Sequence, residues 1–164
     1  MALRAVWERL TPEERRLAAE AFWQSDHEAE QVQAERLLAQ RLNFRPKSVH
    51  QFSVARKAEY LAALVLPVTP EYLELALISF HLRHRRELMA AFLDALAIPN
   101  EHGEITRSEE IAPPDSAALR AARDAVAERF PEHEVAIYLA ALHELDPRTW
   151  AGLAPLVAPE ELGG

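Results

Sequence analysis

The residues with the most capacity for chemistry fall into three charged stretches. His81-Leu82-Arg83-His84-Arg85-Arg86 sets three guanidinium groups and two imidazoles within six positions. Arginine grips carboxylates and phosphates through paired N–H donors, so this knot suits an acidic segment of a partner or a phosphorylated ligand. The same charges also serve a structural end, because cations favour the C-terminal end of a helix dipole. Between Glu35 and Glu59 no Asp or Glu occurs, while Arg36, Arg41, Arg45, Lys47, Arg56 and Lys57 accumulate with Phe44, His50 and Phe52 among them. Cations interleaved with aromatics suit phosphate contact combined with base stacking, which makes this segment a candidate polyanion site. Phe44 and Phe52 equally occupy positions where core anchors at helix ends belong. Over residues 99–115 the balance reverses: Glu101, Glu104, Glu109, Glu110 and Asp115 stand against Arg107 alone.

Catalytic chemistry has no comparable address. His81, His84 and Glu87 follow at three-residue steps and can share a helix face, and Asp26-His27-Glu28 and Glu101-His102 hold further nitrogen and oxygen donors. Yet neither His-Glu-x-x-His nor the Glu-x-x-His pairs of di-iron bundles occur, nor does a Gly-rich phosphate loop or a Gly-x-Ser-x-Gly elbow. The absence of cysteine removes thiolate catalysis, disulfides and Cys-ligated zinc. The expectation is therefore no catalytic residue, no metal ligand and no cofactor.

The whole-chain properties set the frame for these clusters. With 164 residues, 49% of them hydrophobic and 27% charged, the chain has the composition of a soluble globular protein. At that length folding buries roughly 70% of the surface exposed by the unfolded chain. The net charge of −8 argues against a chain that coats nucleic acid over its whole surface. Arg4, Glu8 and Arg9 interrupt the apolar residues of positions 1–10, and no apolar run approaches the roughly 20 residues of a membrane helix, so a cytoplasmic, non-membrane setting is expected.

Helices must position the clusters. Only four glycines occur, and Thr11-Pro12-Glu13-Glu14 carries a capping Thr, a Pro at the first helical position and a Glu able to bond back to the cap. Thr69-Pro70-Glu71 repeats the first two features, and Asp146-Pro147 and Asn43 to Pro46 mark further boundaries. Apolar residues recur at three- and four-residue steps along most of the chain. The expected fold is all-α: one domain over residues 1–164, with about eight helices arranged as antiparallel hairpins in a compact bundle or short superhelical stack. Residues 72–82 are apolar all round, which predicts a helix enclosed by others and leaving the interior at the basic knot. Leu77, Phe80, Leu88, Phe92, Val126, Tyr138 and Leu142 are the expected core. The irregular acidic stretch has Gly103 at a turn position needing positive φ, with Ile105 and Ile111 placed to pin it down.

One internal echo bears on the arrangement. Tyr60-Leu61-Ala62-Ala63-Leu64 recurs as Tyr138-Leu139-Ala140-Ala141-Leu142, each followed by a cap-plus-proline pair and then an aromatic, Tyr72 or Trp150. Both copies read as helix, turn, helix, the pattern of a duplicated hairpin or a coincidence of an Ala- and Leu-rich chain. The terminal Gly163-Gly164 reads as a frayed end.

Together these features predict a protein–protein interaction module. Its partner surface is Arg83, Arg85 and Arg86 with the facing loop groups Glu101, His102 and Glu104, flanking one helix over residues 87–97. That helix is about 16 Å long at the standard rise, so the two charged segments border one groove only if the loop folds back along it. A nucleic-acid or polyanion binder acting through residues 36–57 is the second reading. A small-molecule enzyme with a site between helices is the third.

Overall fold

Thr11 caps as its neighbours predict. In the computed structural model, which describes residues 2–157, its hydroxyl accepts from the Glu14 amide at 3.1 Å, and the Glu14 carboxylate accepts from the Thr11 amide at 2.9 Å. Met1 and residues 158–164, Gly163-Gly164 among them, lie outside the described residues. The chain divides into two units, Met1–His84 and Arg85–Gly164.

In the first unit, α1 (Ala2–Arg9), α2 (Pro12–Trp23), α3 (Glu28–Leu42), α4 (Pro46–His50), α5 (Val54–Leu64) and α6 (Pro70–His84) follow in order, with a 3₁₀ turn at Leu66–Val68. Helix α2 packs against both α5 and α6, and α3 braces α4 and α5. Phe22, Leu38, Leu61, Leu66, Leu73, Leu77 and Phe80 are fully buried between them. Helix α6 is less enclosed than its composition suggests: within this unit it packs chiefly against α1, α2 and the 3₁₀ turn, with Tyr72 reaching α3. Leu75, Ile78 and Leu82 are half-buried, while Glu71 and Glu74 reach solvent.

The second unit begins where Arg85, at φ −133° and ψ 22°, breaks the helical path. It comprises α7 (Arg86–Ala95), a two-stranded antiparallel hairpin of β1 (Asn100–Glu101) and β2 (Glu104–Ile105), a 3₁₀ turn at Ser108–Glu110, α8 (Ser116–Ala127), α9 (Glu132–Leu145), a 3₁₀ turn at Ala151–Leu153, and α10 (Ala154–Val157). Asp115 caps α8 by accepting from the Ala118 amide at 2.8 Å. Helix α8 packs against α7 and α9 over a core of Leu88, Phe92, Leu93, Leu119, Val126 and Tyr138. Ile105 and Ile111 pack against that core, so the acidic stretch is pinned at both expected points.

The fold is all-α, with ten α-helices among the described residues where the periodicity suggests eight. A five-residue α4 and a four-residue α10 are too short to display a 3.6-residue period. Six of the seven expected core residues are buried, and Leu142 is half-buried at the margin of the second core. The echo holds only in part: α5 and α9 each lead into a 3₁₀ turn and then another helix, but Thr69-Pro70 opens α6 directly, whereas Asp146-Pro147 opens a turn that precedes the 3₁₀ segment. Its burial differs as well. Leu61 and Leu139 are both buried, but Ala63 is exposed where Ala141 is buried.

Candidate functional site

The hairpin decides what the basic knot can do. His102 at φ 51° and Gly103 at φ 89° form its two-residue turn, a conformation suited to the right-handed twist of the flanking strands. The Asn100 side chain accepts from the Gly103 amide at 3.1 Å and donates to the Asp94 carboxylate at 2.9 Å and the Ile98 carbonyl at 3.1 Å. This turn lies directly on α7, since a Cβ added at Gly103 would stand 2.7 Å from the Met89 Cβ. The acidic stretch thus folds back along α7, the condition for the two charged segments to meet.

They meet through Arg86, which donates to the His102 carbonyl at 2.9 Å and to the Glu104 carboxylate at 2.8 Å. An open hollow of about 350 Å³ is lined by Arg86, Glu101, His102 and Glu104, four of the six partner-surface residues expected from the sequence. The Arg85 side chain, 18% exposed, instead lies 3.5 Å from the Glu134 carboxylate, itself 27% exposed. Arg83 is exposed in the last turn of α6, in the other unit. The buried His81 is bonded through Nδ1 to the Leu77 carbonyl at 2.8 Å. Much of the knot's charge is therefore spent on holding its own surroundings together.

The segment 36–57 is arranged differently. Helix α3 closes with Asn43 in the left-handed region, at φ 56°, while the Phe44 amide reaches back to the Ala39 carbonyl at 2.8 Å. That closure satisfies the terminal carbonyls and fixes where Phe44 leaves the helix. Phe44 is 46% exposed, so it is not the core anchor its position allows. Its ring meets Phe52 edge-on at 6.1 Å, Phe52 neighbours Tyr60 at 6.0 Å, and the Arg56 guanidinium lies 4.0 Å from the Phe52 ring centre. Arg36, Arg41, Arg45 and Lys47 are exposed, and among the described residues their side chains make no ion pair or hydrogen bond.

Lys57 departs from this group. Its side chain is 12% exposed and its amine donates to Glu35, 13% exposed, at 2.7 Å, with the Trp23 ring centre 5.4 Å away. His50 Nδ1 approaches the other Glu35 oxygen at 3.0 Å. The trio ties α3 to α4 and α5. Burial pushes the Glu35 carboxyl up, but the hydrogen bonds and charges of Lys57 and His50 pull harder, and the net effect holds it below the usual carboxylate range.

A carboxyl depressed in the folded state stabilises the protein above its unfolded value, and that contribution fades as pH falls through the folded value. Replacing Lys57 with Met sets an apolar group against the Glu35 charge and leaves it His50 alone of the two partners. The expected loss is about 2–3 kcal/mol at neutral pH, between the small worth of exposed pairs and the large penalty for breaking buried ones. Urea unfolding of Lys57→Met should show the gap to the parent chain narrowing as pH falls through and below the usual carboxylate range, where Glu35 takes up its proton. A gap independent of pH would mean that Lys57 contributes through packing alone.

Two further hollows lie in the first unit. One, of about 620 Å³, runs between α2 and α5, but Arg15 there donates to the Trp7 and Glu8 carbonyls and Arg16 pairs with Glu13 and Glu20. Another, of about 440 Å³, lies beside Tyr72, whose hydroxyl donates to the Gln33 side chain at 3.0 Å, and reaches Arg36. Among the described residues no three His, Asp or Glu side chains are grouped to hold a metal, and no helix is long and apolar enough to cross a membrane. No family model, curated protein or solved structure matches the chain.

Proposed function

We propose that this protein is a helical interaction module whose main binding surface is the basic–aromatic corner of α3, α4 and α5. Arg41, Phe44, Arg45, Lys47, Phe52 and Arg56 form it, and its partner is an acidic protein segment carrying an apolar side chain. The observation that carries this reading is Phe44, nearly half exposed yet held by the left-handed turn at Asn43 and by the edge of Phe52. A side chain already ordered loses little entropy on binding, and rigid aromatics beside arginines are the usual centres of interface energy. Arg41, Arg45 and Lys47, exposed and without an ion pair among the described residues, supply steering and register for carboxylates.

The surface at Arg83, Arg85, Arg86, Glu101, His102 and Glu104 is subordinate in this reading. A partner there would have to displace the bonds from Arg86 to the hairpin and the pairing of Arg85 with Glu134. A cytoplasmic setting accords with a cysteine-free interaction module of this kind. The alternative occupant of the corner is single-stranded nucleic acid, favoured by the stacking of Arg56 on Phe52 and by Arg36, Arg41, Arg45 and Lys47 alongside.

Fluorescence anisotropy with a labelled Glu-rich peptide bearing one Phe, run beside a labelled oligo-dT, separates these occupants. The peptide should bind, and Phe44→Ala should weaken it at least about tenfold, or roughly 1.4 kcal/mol, with thermal stability nearly unchanged. Changing Arg41, Arg45 and Lys47 together to Gln should remove most of the salt dependence. Preferential binding of oligo-dT would establish the nucleic-acid reading instead. Binding of neither probe would defeat the corner as an interaction surface.

A further inference from the structure

We infer that the partner segment is present in the chain itself: the acidic stretch 109–113 of one copy docks on the basic–aromatic corner of a second copy, giving salt-sensitive self-association. This rests on the reading of the corner as a surface for acidic protein segments.

Charge is divided unevenly between the two units. Met1–His84 carries 11 Lys and Arg against 11 Asp and Glu, whereas Arg85–Gly164 carries 7 against 15. All of the net −8 therefore belongs to the second unit, while the first gathers six cations and no acid between Glu35 and Glu59. Each copy offers one excess of each sign, and complementary potentials draw such surfaces together.

The stretch 109–113 also has the partner's chemistry. Glu109 and Glu110 are exposed, Ile111 is extended at φ −82° and ψ 117° and half-buried against its own core, and Ala112 and Pro113 are exposed again. Ile111 holds the segment in place so that little order must be gained on docking. The two carboxylates suit Arg41, Arg45 and Lys47, and the Pro113 ring offers a flat apolar face to the Phe44 ring. Arg107, 3.5 Å from Glu110, is the local competitor, and both side chains are about 70% exposed, so this pair is weak and easily exchanged.

Sedimentation equilibrium on the whole chain tests the assignment. In about 20 mM NaCl the mean mass should rise between about 5 and 200 µM protein, and about 500 mM NaCl should return it to that of a monomer. Arg41→Glu with Arg45→Glu and Lys47→Glu should remain monomeric, as should Glu109→Lys with Glu110→Lys. All five sites are exposed, so both variants should keep the parent's melting temperature to within a few degrees. An equimolar mixture of the two carries restored complementarity and should associate again. Three results would each overturn the proposal: a parent chain monomeric throughout at low salt, a mixture that stays monomeric, or a corner variant that still self-associates. If the parent is monomeric while the Glu-rich peptide still binds the corner, only the choice of partner falls. If the peptide also fails to bind, the corner reading falls with it.

Discussion

Phe92→Ala is expected to lower folding stability by about 3–5 kcal/mol, the range for emptying a fully packed aromatic site. Phe92 is completely buried on α7. Its ring stands edge-on to Tyr138 of α9 at 5.7 Å and lies 6.1 Å from Trp150, which precedes the last 3₁₀ turn. Truncation leaves a hole bounded by rigid rings that collapse poorly, and it removes two aromatic contacts as well as buried area. Phe92→Leu should cost about 1–2 kcal/mol, because most of the volume is kept. Urea unfolding measures both, and amide exchange should show protection lost first in α7 and α9. A loss below about 1 kcal/mol for the alanine variant would mean that this core relaxes around the gap.

Gly103→Val should cost about 2–3 kcal/mol, a large effect for a change outside the hydrophobic core. Two effects combine. The φ of 89° excludes a β-branched side chain, and any Cβ would press on the Met89 Cβ at 2.7 Å and the Arg86 carbonyl at 3.2 Å. The loss has a ceiling, because the hairpin can lift off α7 and forfeit only its own contacts. Lifting would strip Arg86 of both partners, the His102 carbonyl and the Glu104 carboxylate. Gly103→Asn separates the two effects, since Asn tolerates positive φ but still carries the Cβ. If Asn is as harmful as Val, the contact with α7 dominates; if Asn is markedly milder, backbone strain does. The readout is exchange of the backbone amide at position 103, which in the intact turn donates to the Asn100 side chain.

The helical class, the Thr11 cap and most of the core are legible in the sequence because each depends on residues a turn or two apart. The hairpin is half legible. Gly103, Ile105 and Ile111 signal a turn and two anchors, but strands of two residues have no alternation to read. The break at Arg85 has no Gly, Pro or capping side chain to announce it. Charge clusters can be read from composition, whereas their pairing cannot. Arg86 meets Glu104 across 18 positions and Lys57 meets Glu35 across 22, so only the folded chain distinguishes a structural cation from an available one. The same holds for Phe44. Its spacing suits a core anchor, and the left-handed Asn43 is what turns it towards solvent.

The inward turn of Lys57 has a consequence for covalent labelling. The chain contains two lysines, Lys47 and Lys57, against sixteen arginines. With the Lys57 amine sequestered by Glu35, side-chain acylation is directed almost wholly to Lys47, in the middle of the basic–aromatic corner. A single acetyl group there deletes one of the corner's charges and leaves the fold untouched. An amine-reactive dye or resin would, for the same reason, mask the surface it was meant to report, while attachment through the carboxylates of the second unit leaves that surface open.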